Sequence, residues 1–475
     1  MADNQLSFVR LIAVLTTAMA AHIGPGDTAW SQNLDEALAA AYQNNPTLNA
    51  QRARLRATNE QVPQALSGYR PTLRAFSEVG RTYQNSRNQT SLANEDNALL
   101  ARSYGATLEQ PLFRGGQTAA ATRGAENTVR AERSRLESIE QTVLLDATTA
   151  YSDVYRDQAV LELTIRNEQR LARQLEATRD RFQVGEVTRT DVSQAEARLA
   201  RATSERIGAE GDLAASRAVF SNVIGIAPAL LPRPPLPQAL PMSLAAATDI
   251  AIGNNPDVTT AEFRERSAID SVDQVRGELS PTLSLIGRLQ RQEDNSRSNS
   301  RFDSAEALVS LNFPLYQAGT VFSRLRERKQ LVVEQRRLLE QSQRDAVEEA
   351  TRAWNALETA SAEIGSFSKQ VEANRIALDG VEKEAEVGAR TVLDVLDAQQ
   401  ELLNSQVSLV RAERDQVVAA FQLKASVGVL TARQLNLFVD YYDPDLHFRQ
   451  VRNSWFGGSS VGDDSTDFNR ERRSE

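Results

Sequence analysis

The sequence contains no cysteine and only two histidines among its 475 residues. The absence of cysteine excludes disulfides, thiolate metal ligands and cysteine nucleophiles. His22 lies near the N-terminus and His447 in a polar C-terminal stretch, so neither a Ser/His/Asp triad nor a zinc site can be assembled. Aromatic residues make up only 6% of the chain, which favours long helices over one thick globular core. We therefore expect neither an enzyme nor a cofactor site.

A positive net charge and long apolar runs are also missing. The formal net charge is −9, which argues against a nucleic-acid partner. The apolar run at residues 11–21 follows Arg10 and precedes small residues, as in a secretory signal peptide, which we place at residues 1–30. Beyond it, no stretch approaches the ~20 consecutive apolar residues of a membrane-spanning helix. Membrane insertion would therefore require β-strands.

The chain consists of two tandem repeats, which appear as short segments recurring in the same order. The early segments recur at an offset of 254 − 44 = 210 residues, and the later ones at 314 − 111 = 203 residues. The recurring segments are Asn44-Asn45-Pro46 with Asn254-Asn255-Pro256, Pro71-Thr72-Leu73 with Pro281-Thr282-Leu283, Pro111-Leu112-Phe113 with Pro314-Leu315-Tyr316, Val184-Gly185 with Val387-Gly388, and Asp191-Val192 with Asp394-Val395.

These repeats define the predicted domain organisation. The segment between them is rich in proline, which cannot hold a helix, and the end of the chain is rich in Gly, Ser and Asp, which is typical of disorder. The predicted units are repeat 1 at 31–227, a proline-rich linker at 228–241, repeat 2 at 242–430, a C-terminal segment at 431–456 and a disordered tail at 457–475.

Each repeat is predicted to contain a helix, two strands, a long helix, a turn and a second helix, so the fold is mainly α with a small β part. Alternating apolar residues at 305–313 indicate a strand with one apolar face. Small and apolar residues spaced by three and four over 192–223 indicate a coiled coil. The predicted ranges are first helices at about 34–66 and 244–277, strand pairs at about 69–113 and 281–316, long helices at about 117–182 and 320–386, and later helices at about 187–225 and 390–428.

The long helix of repeat 1 spans about 66 residues, or ~100 Å at 1.5 Å per residue. Its partner in the hairpin is shorter, and the first helix of the repeat could fill the difference by stacking end to end with it. Such rods have no globular core of their own. They must bury their coiled-coil faces against other rods, and further copies of the chain could supply these.

Four segments resemble a known family, the TolC-type outer-membrane channels. Residues 387–398 (VGARTVLDVLDA) resemble the family signature, and residues 184–192 (VGEVTRTDV) occupy the equivalent turn of repeat 1. Residues 442–445 and 451–457 resemble the ending of the type I secretion branch. The resemblance implies a homotrimer in the outer membrane. Each chain would give four strands to one 12-stranded β-barrel, continued through the periplasm by a barrel of α-helical coiled coils.

The resemblance also implies an acidic entrance to the channel. Asp394 and Asp397 match the acidic positions of the family, and their i, i+3 spacing puts both on one face of a helix. Three copies would form two carboxylate rings that attract cations. The alternative is a solvated helix N-terminus, where aspartate is common.

Further expectations concern the tips of the two hairpins. Arg390 matches the basic member of a latch that closes the entrance in the family, and Thr190 and Asp191 match its partners. An exposed ion pair is weak enough to be released. Gly185 and Gly388 would form the turns at the tips, where a periplasmic adaptor protein docks.

The expected function is a passive exit duct for efflux or type I secretion. No nucleotide-binding motif of the type GxxxxGK occurs, so an inner-membrane ABC or proton-driven pump would supply the energy. One alternative is a periplasmic adaptor, which would have a single hairpin flanked by compact β-domains. A second is a soluble structural coiled coil, which predicts neither a signal peptide nor alternating strands.

Overall fold

A computed structural model describes residues 33–86, 95–295 and 298–458. The predicted signal peptide at 1–30 and the predicted tail from residue 459 onward lie outside the described residues. The helices are α1 (Leu34–Asn44), α2 (Pro46–Asn59), α3 (Gln61–Leu66), α4 (Gln117–Gln183), α5 (Arg189–Ile224), α6 (Leu244–Asn254), α7 (Pro256–Gly277), α8 (Thr320–Glu386), α9 (Val392–Ser426) and α10 (Pro444–Val451). The strands are β1 (Thr72–Ser86), β2 (Glu95–Arg114), β3 (Thr282–Glu293) and β4 (Arg301–Asn312).

The long helices of the two repeats begin and end at equivalent residues. Both α4 and α8 contain 67 residues, and each follows a glycine in the left-handed conformation, Gly116 at φ 81° and Gly319 at φ 76°. Glycine adopts this conformation without the steric cost that a Cβ brings. The two repeats therefore pass from strand to helix through the same backbone turn.

The predicted single helix at 34–66 is wrong, because the structure divides it into three. Asn45 has an extended backbone, and its side-chain oxygen accepts hydrogen bonds from the amides of Thr47 and Leu48. Pro46 follows at the first helical position, where its missing N–H is not needed. Asn255 breaks the first helix of repeat 2 in the same way. The recurring Asn-Pro pair is therefore a signal for a helix restart.

The four strands form one antiparallel sheet in the order β1-β2-β3-β4. The two repeats join where β2 pairs with β3, for example with Ala106 opposite Leu289. Within the described residues, β1 and β4 each pair on one side only, so both outer edges are open. Large apolar side chains such as Val309 and Leu311 stay exposed on the sheet. A sheet with open edges and exposed apolar residues is incomplete as a single chain.

Among the described residues, the largest apolar core lies where α1, α2, α4, α5 and the C-terminal part of α9 meet. Tyr151 and Phe220 are fully buried at its centre, with ring centroids 6.4 Å apart. The proline-rich linker packs on this core, since the Tyr151 hydroxyl donates a hydrogen bond to the Pro232 carbonyl at 3.1 Å. Arg233 extends this contact to the second repeat through a 3.0 Å ion pair with Glu413 of α9.

The C-terminal segment runs along the outside of this core towards the sheet. The backbone amide of Ala432 donates to the Glu140 carboxylate at 2.7 Å, and Asp445 forms an ion pair with Arg133 at 2.6 Å. Near its end, the Ser454 carbonyl accepts a 2.6 Å hydrogen bond from Arg70, just before β1. The segment therefore links the helical core to the base of the sheet. None of the helices in the described ranges has the length and apolar composition needed to cross a membrane.

Candidate functional site at the helical tips

Each pair of long helices is joined by a tight turn around a glycine. Gly185 (φ 79°) and Gly388 (φ 76°) adopt the left-handed conformation, and a Cβ added at either would meet nothing within 4 Å. Their amides donate to the carbonyls of Phe182 and Ala385, which satisfies the helix ends. The neighbouring valines at 184 and 387 are largely exposed. The tips thus present small apolar surfaces at one end of the molecule.

Asp394 lies in the first turn of α9 and forms a capping box with Thr391. Its carboxylate accepts hydrogen bonds from the Thr391 amide (2.9 Å) and hydroxyl (2.8 Å). The Asp394 amide in turn donates to the Thr391 hydroxyl. These hydrogen bonds, the backbone one foremost, hold the pKa of the Asp394 carboxyl below its usual value. Asp394 therefore stabilises the helix N-terminus and remains ionised at neutral pH.

Asp191 makes the same capping box at the tip of the first hairpin. Its carboxylate accepts from the Thr188 amide at 2.8 Å, as the recurring Thr-x-x-Asp pattern requires. Asp191 and Asp394 occupy equivalent positions in the two repeats. Both residues therefore cap a helix N-terminus, as the alternative to an acidic ring predicted.

Asp397 instead forms an ion pair with Arg198, which donates a short hydrogen bond to its carboxylate. The two residues belong to different hairpins, Arg198 to α5 and Asp397 to α9. Sequence reasoning missed Arg198, although it lies one heptad after Asp191 and hence on the same face of α5. The pair is a charged contact between the hairpins near their tips.

Arg390 has its ionic contact within its own hairpin. Its guanidinium donates to the Glu384 carboxylate at 2.9 Å, a hydrogen bond that raises the pKa of Arg390. Thr190 is exposed, and the Asp191 carboxylate already accepts a hydrogen bond from the Thr188 amide. Within one chain, the structure therefore does not bring Arg390 together with its expected latch partners. A latch between neighbouring chains stays a prediction.

An apolar cluster holds the two hairpins side by side behind these charges. Val392 and Leu396 of α9 are buried among residues of the first hairpin, including Leu171, Leu175 and Ala195. Because burial of apolar surface is favourable, this cluster holds the helices of the two hairpins together. Within the described residues, no group of three or more His, Cys, Asp or Glu side chains is arranged to hold a metal ion.

Comparison with known proteins places this architecture in one family. The profile of the outer membrane efflux protein family matches residues 37–225 and 247–429, one match for each repeat. The chain is 34% identical over 433 residues to the outer membrane efflux protein BepC of Brucella suis, covering 91% of this chain and 93% of that protein. It is 26% identical over 416 residues to the outer membrane protein TolC of Vibrio cholerae, covering 86% and 93% respectively.

The fold is also that of a solved channel. The crystal structure of the CmeC outer membrane channel of Campylobacter jejuni matches with a TM-score of 0.76 at 15% identity, covering 89% of each chain. The adaptor alternative is not supported. The expected fold class and the expected TolC-type resemblance are both confirmed. The chain belongs to the outer membrane efflux protein family and is an outer-membrane exit channel that extends into the periplasm.

Proposed function

We propose that three copies of the chain form one continuous duct, a 12-stranded barrel in the outer membrane above a helical tunnel in the periplasm. The observation that carries this proposal is the four-stranded sheet with two open edges. In lipid, unpaired backbone groups are tolerated only when a barrel closes. Joining β4 of each copy to β1 of the next removes every open edge, and the exposed apolar strand residues then face lipid.

The duct works with an adaptor and an inner-membrane pump, either ABC or proton-driven, in efflux or type I secretion. The adaptor docks on the tips at Gly185 and Gly388, where exposed Val184 and Val387 offer apolar contacts. Opening is a two-state change of the hairpins that the adaptor biases by binding the open arrangement better.

The assembly itself is testable by native mass spectrometry of the detergent-extracted protein. We expect a particle with the mass of three chains, each lacking its signal peptide. A strictly monomeric particle that still shows the helix content of the structure would contradict the duct.

The acidic residues act as rings at the entrance, Asp394 at the helix N-terminus and Asp397 beside Arg198. In Asp394→Asn/Asp397→Asn, the amide oxygens preserve side-chain shape and the cap at Thr391, while both charges disappear and with them the Arg198–Asp397 ion pair. We expect cation selectivity in planar bilayers to fall severalfold in this variant, because the negative potential at the constriction is lost. Asp379→Asn is the control, since Asp379 and Lys383 form an ion pair with each other within α8.

Acidification should remove the charge of Asp394 from the wild-type protein. The pKa of Asp394 lies below the usual 3.8, so its charge persists as the pH falls to that value and is lost only at lower pH. Cation selectivity should therefore survive to about pH 4 and then decline. Cation selectivity that vanishes near neutral pH, or that is unchanged in the double variant, would show that these aspartates do not set the selectivity of the entrance.

A further inference from the structure

The two repeats of one chain are joined by a small polar cluster between α4 and α7. Asp270 of α7 is buried and accepts hydrogen bonds from Arg123 Nε at 2.9 Å and from Asn127 Nδ2 at 2.8 Å. Both donors lie one turn apart on α4. A guanidinium and a carboxamide thus hold one carboxylate at the contact between repeat 1 and repeat 2.

The same three chemical groups recur at the equivalent positions of the opposite elements. The offset of 326 − 123 = 203 relates α4 to α8 along their whole length, since both contain 67 residues. The offset of 270 − 60 = 210 holds from Asn45/Asn255 to Thr72/Thr282. The equivalents are Arg326 for Arg123, Gln330 for Asn127 and Glu60 for Asp270.

These equivalent residues cannot meet within one chain. Arg326 and Gln330 are exposed on α8, which packs on α6, α7 and α9. Glu60 lies at the junction of α2 and α3, which pack on α4 and α10. In the part of the chain that the structure describes, Arg326 has no ion pair, and Glu60 has only His447 Nε2 at 3.9 Å. The donors and the acceptor lie on opposite flanks of the molecule.

We propose that Arg326 and Gln330 of one copy bind Glu60 of the next copy, so that the contact between chains repeats the contact between repeats. This inference rests on the proposed trimer. In this arrangement, the exposed flank of α8 packs against the α2–α3 junction of a second copy of this chain. The pairing also gives that interface its polar centre, a carboxylate bound by a guanidinium and a carboxamide.

Sequence differences between the two clusters fit helices of neighbouring copies that stand further apart than those of the two repeats. Within the chain, a Cβ added at Gly277 would lie only 2.6 Å from the Gly115 carbonyl oxygen, closer than a Cβ can lie, whereas one at Gly124 would be in ordinary contact with Asp270 Cβ at 3.5 Å. The equivalents of these two glycines are Glu327 and Ser67.

Longer side chains compensate for this wider spacing. Gln330 is one methylene longer than Asn127, and Glu60 is one methylene longer than Asp270. The donors and the acceptor therefore reach each other across the larger gap. Longer side chains thus accompany the wider spacing between helices, as expected if both clusters bind a carboxylate across an interface, one narrow and one wide.

Cross-linking tests the pair directly, because the chain has no cysteine of its own. We expect Arg326→Cys/Glu60→Cys, treated with a short bismaleimide in detergent, to give covalent dimers and trimers on a denaturing gel. Arg123→Cys/Asp270→Cys should be linked within the chain only and run as a monomer. The yield of linked chains should exceed that of Arg326→Cys alone by at least about tenfold, since the second thiol is held at high effective concentration.

Charge exchange provides a second test that does not depend on the cysteine variant. Arg326→Glu and Glu60→Arg should each raise the dissociation constant of the trimer in detergent about tenfold. The variant that combines both changes should have a dissociation constant within about threefold of the wild-type value. An intact wild-type trimer with no cross-link and no rescue would overturn the pair while leaving the duct standing. A wild-type chain that is monomeric by native mass would instead overturn the duct, and the pair with it.

Discussion

Replacing Gly115 by alanine is expected to abolish the folded protein, whereas the same change at the adjacent Gly116 is expected to be tolerated. Gly115 has φ 58°, and an added Cβ would lie 2.3 Å from the Gly277 carbonyl oxygen and 2.5 Å from the Ser280 Cβ. Since Cβ atoms do not approach other atoms below 3.0 Å, the backbone where β2 passes into α4 would have to move away from α7. We expect a loss of more than about 4 kcal/mol in the free energy of unfolding.

Gly116 separates the conformational cost from the steric one. Its φ of 81° is equally left-handed, but an added Cβ would meet nothing within 4 Å. Gly116→Ala should therefore cost about 1–2 kcal/mol. Repeat 2 supports this distinction, because Ala318, the equivalent of Gly115, already has φ 51°. Circular dichroism at 222 nm shows whether Gly115→Ala folds at all and, on heating, how much stability Gly116→Ala loses. Equal losses in the two variants would show that the Gly277 contact is not the cause.

Removing the guanidinium of Arg198 is expected to open the entrance. The Arg198–Asp397 pair joins α5 to α9, so it favours the arrangement in which the two hairpins lie together. An exposed pair contributes ~0–1 kcal/mol, and three copies contribute up to ~3 kcal/mol, which can shift the closed-to-open ratio by up to about a hundredfold. Arg198→Ala should therefore raise the mean conductance in planar bilayers severalfold.

The matched control for this variant is Arg201→Ala. Arg201 lies one turn away on the same helix but pairs with Glu205 along that helix, at 2.8 Å, so its loss does not release the other hairpin. We expect its conductance to equal that of the wild type. Equal conductance of Arg198→Ala and Arg201→Ala would exclude the pair as a restraint on the entrance.

The fold class was accessible from the sequence because the repeat is strict. Gly116 and Gly319 lie between strand and long helix, and they are separated by the same offset as Gly185 and Gly388. Each helix boundary predicted in one repeat could therefore be checked against the equivalent boundary in the other repeat. The helix break at Asn45 was missed, although the Asn-Pro pair recurs, because apolar periodicity continues through the break. Side-chain capping and proline at the first helical position override the periodic pattern there.

The ionic contacts of the site were less accessible, because they depend on which helices become neighbours. Heptad spacing places Arg198 and Asp397 on defined faces of their own helices, but it does not say that these faces meet. The capping role of Asp394, in contrast, follows from local sequence, since Thr391 stands three residues before it. Local chemistry was therefore predictable, whereas contacts between hairpins required the structure.

The central claim, that the chain forms a conducting duct, is tested most directly by single-channel recording of the purified protein in planar lipid bilayers. The account predicts discrete conductance steps of uniform size with a preference for cations, obtained from particles whose native mass corresponds to three chains. Trimeric particles that insert into bilayers without producing any conductance steps, even for Arg198→Ala, would contradict it.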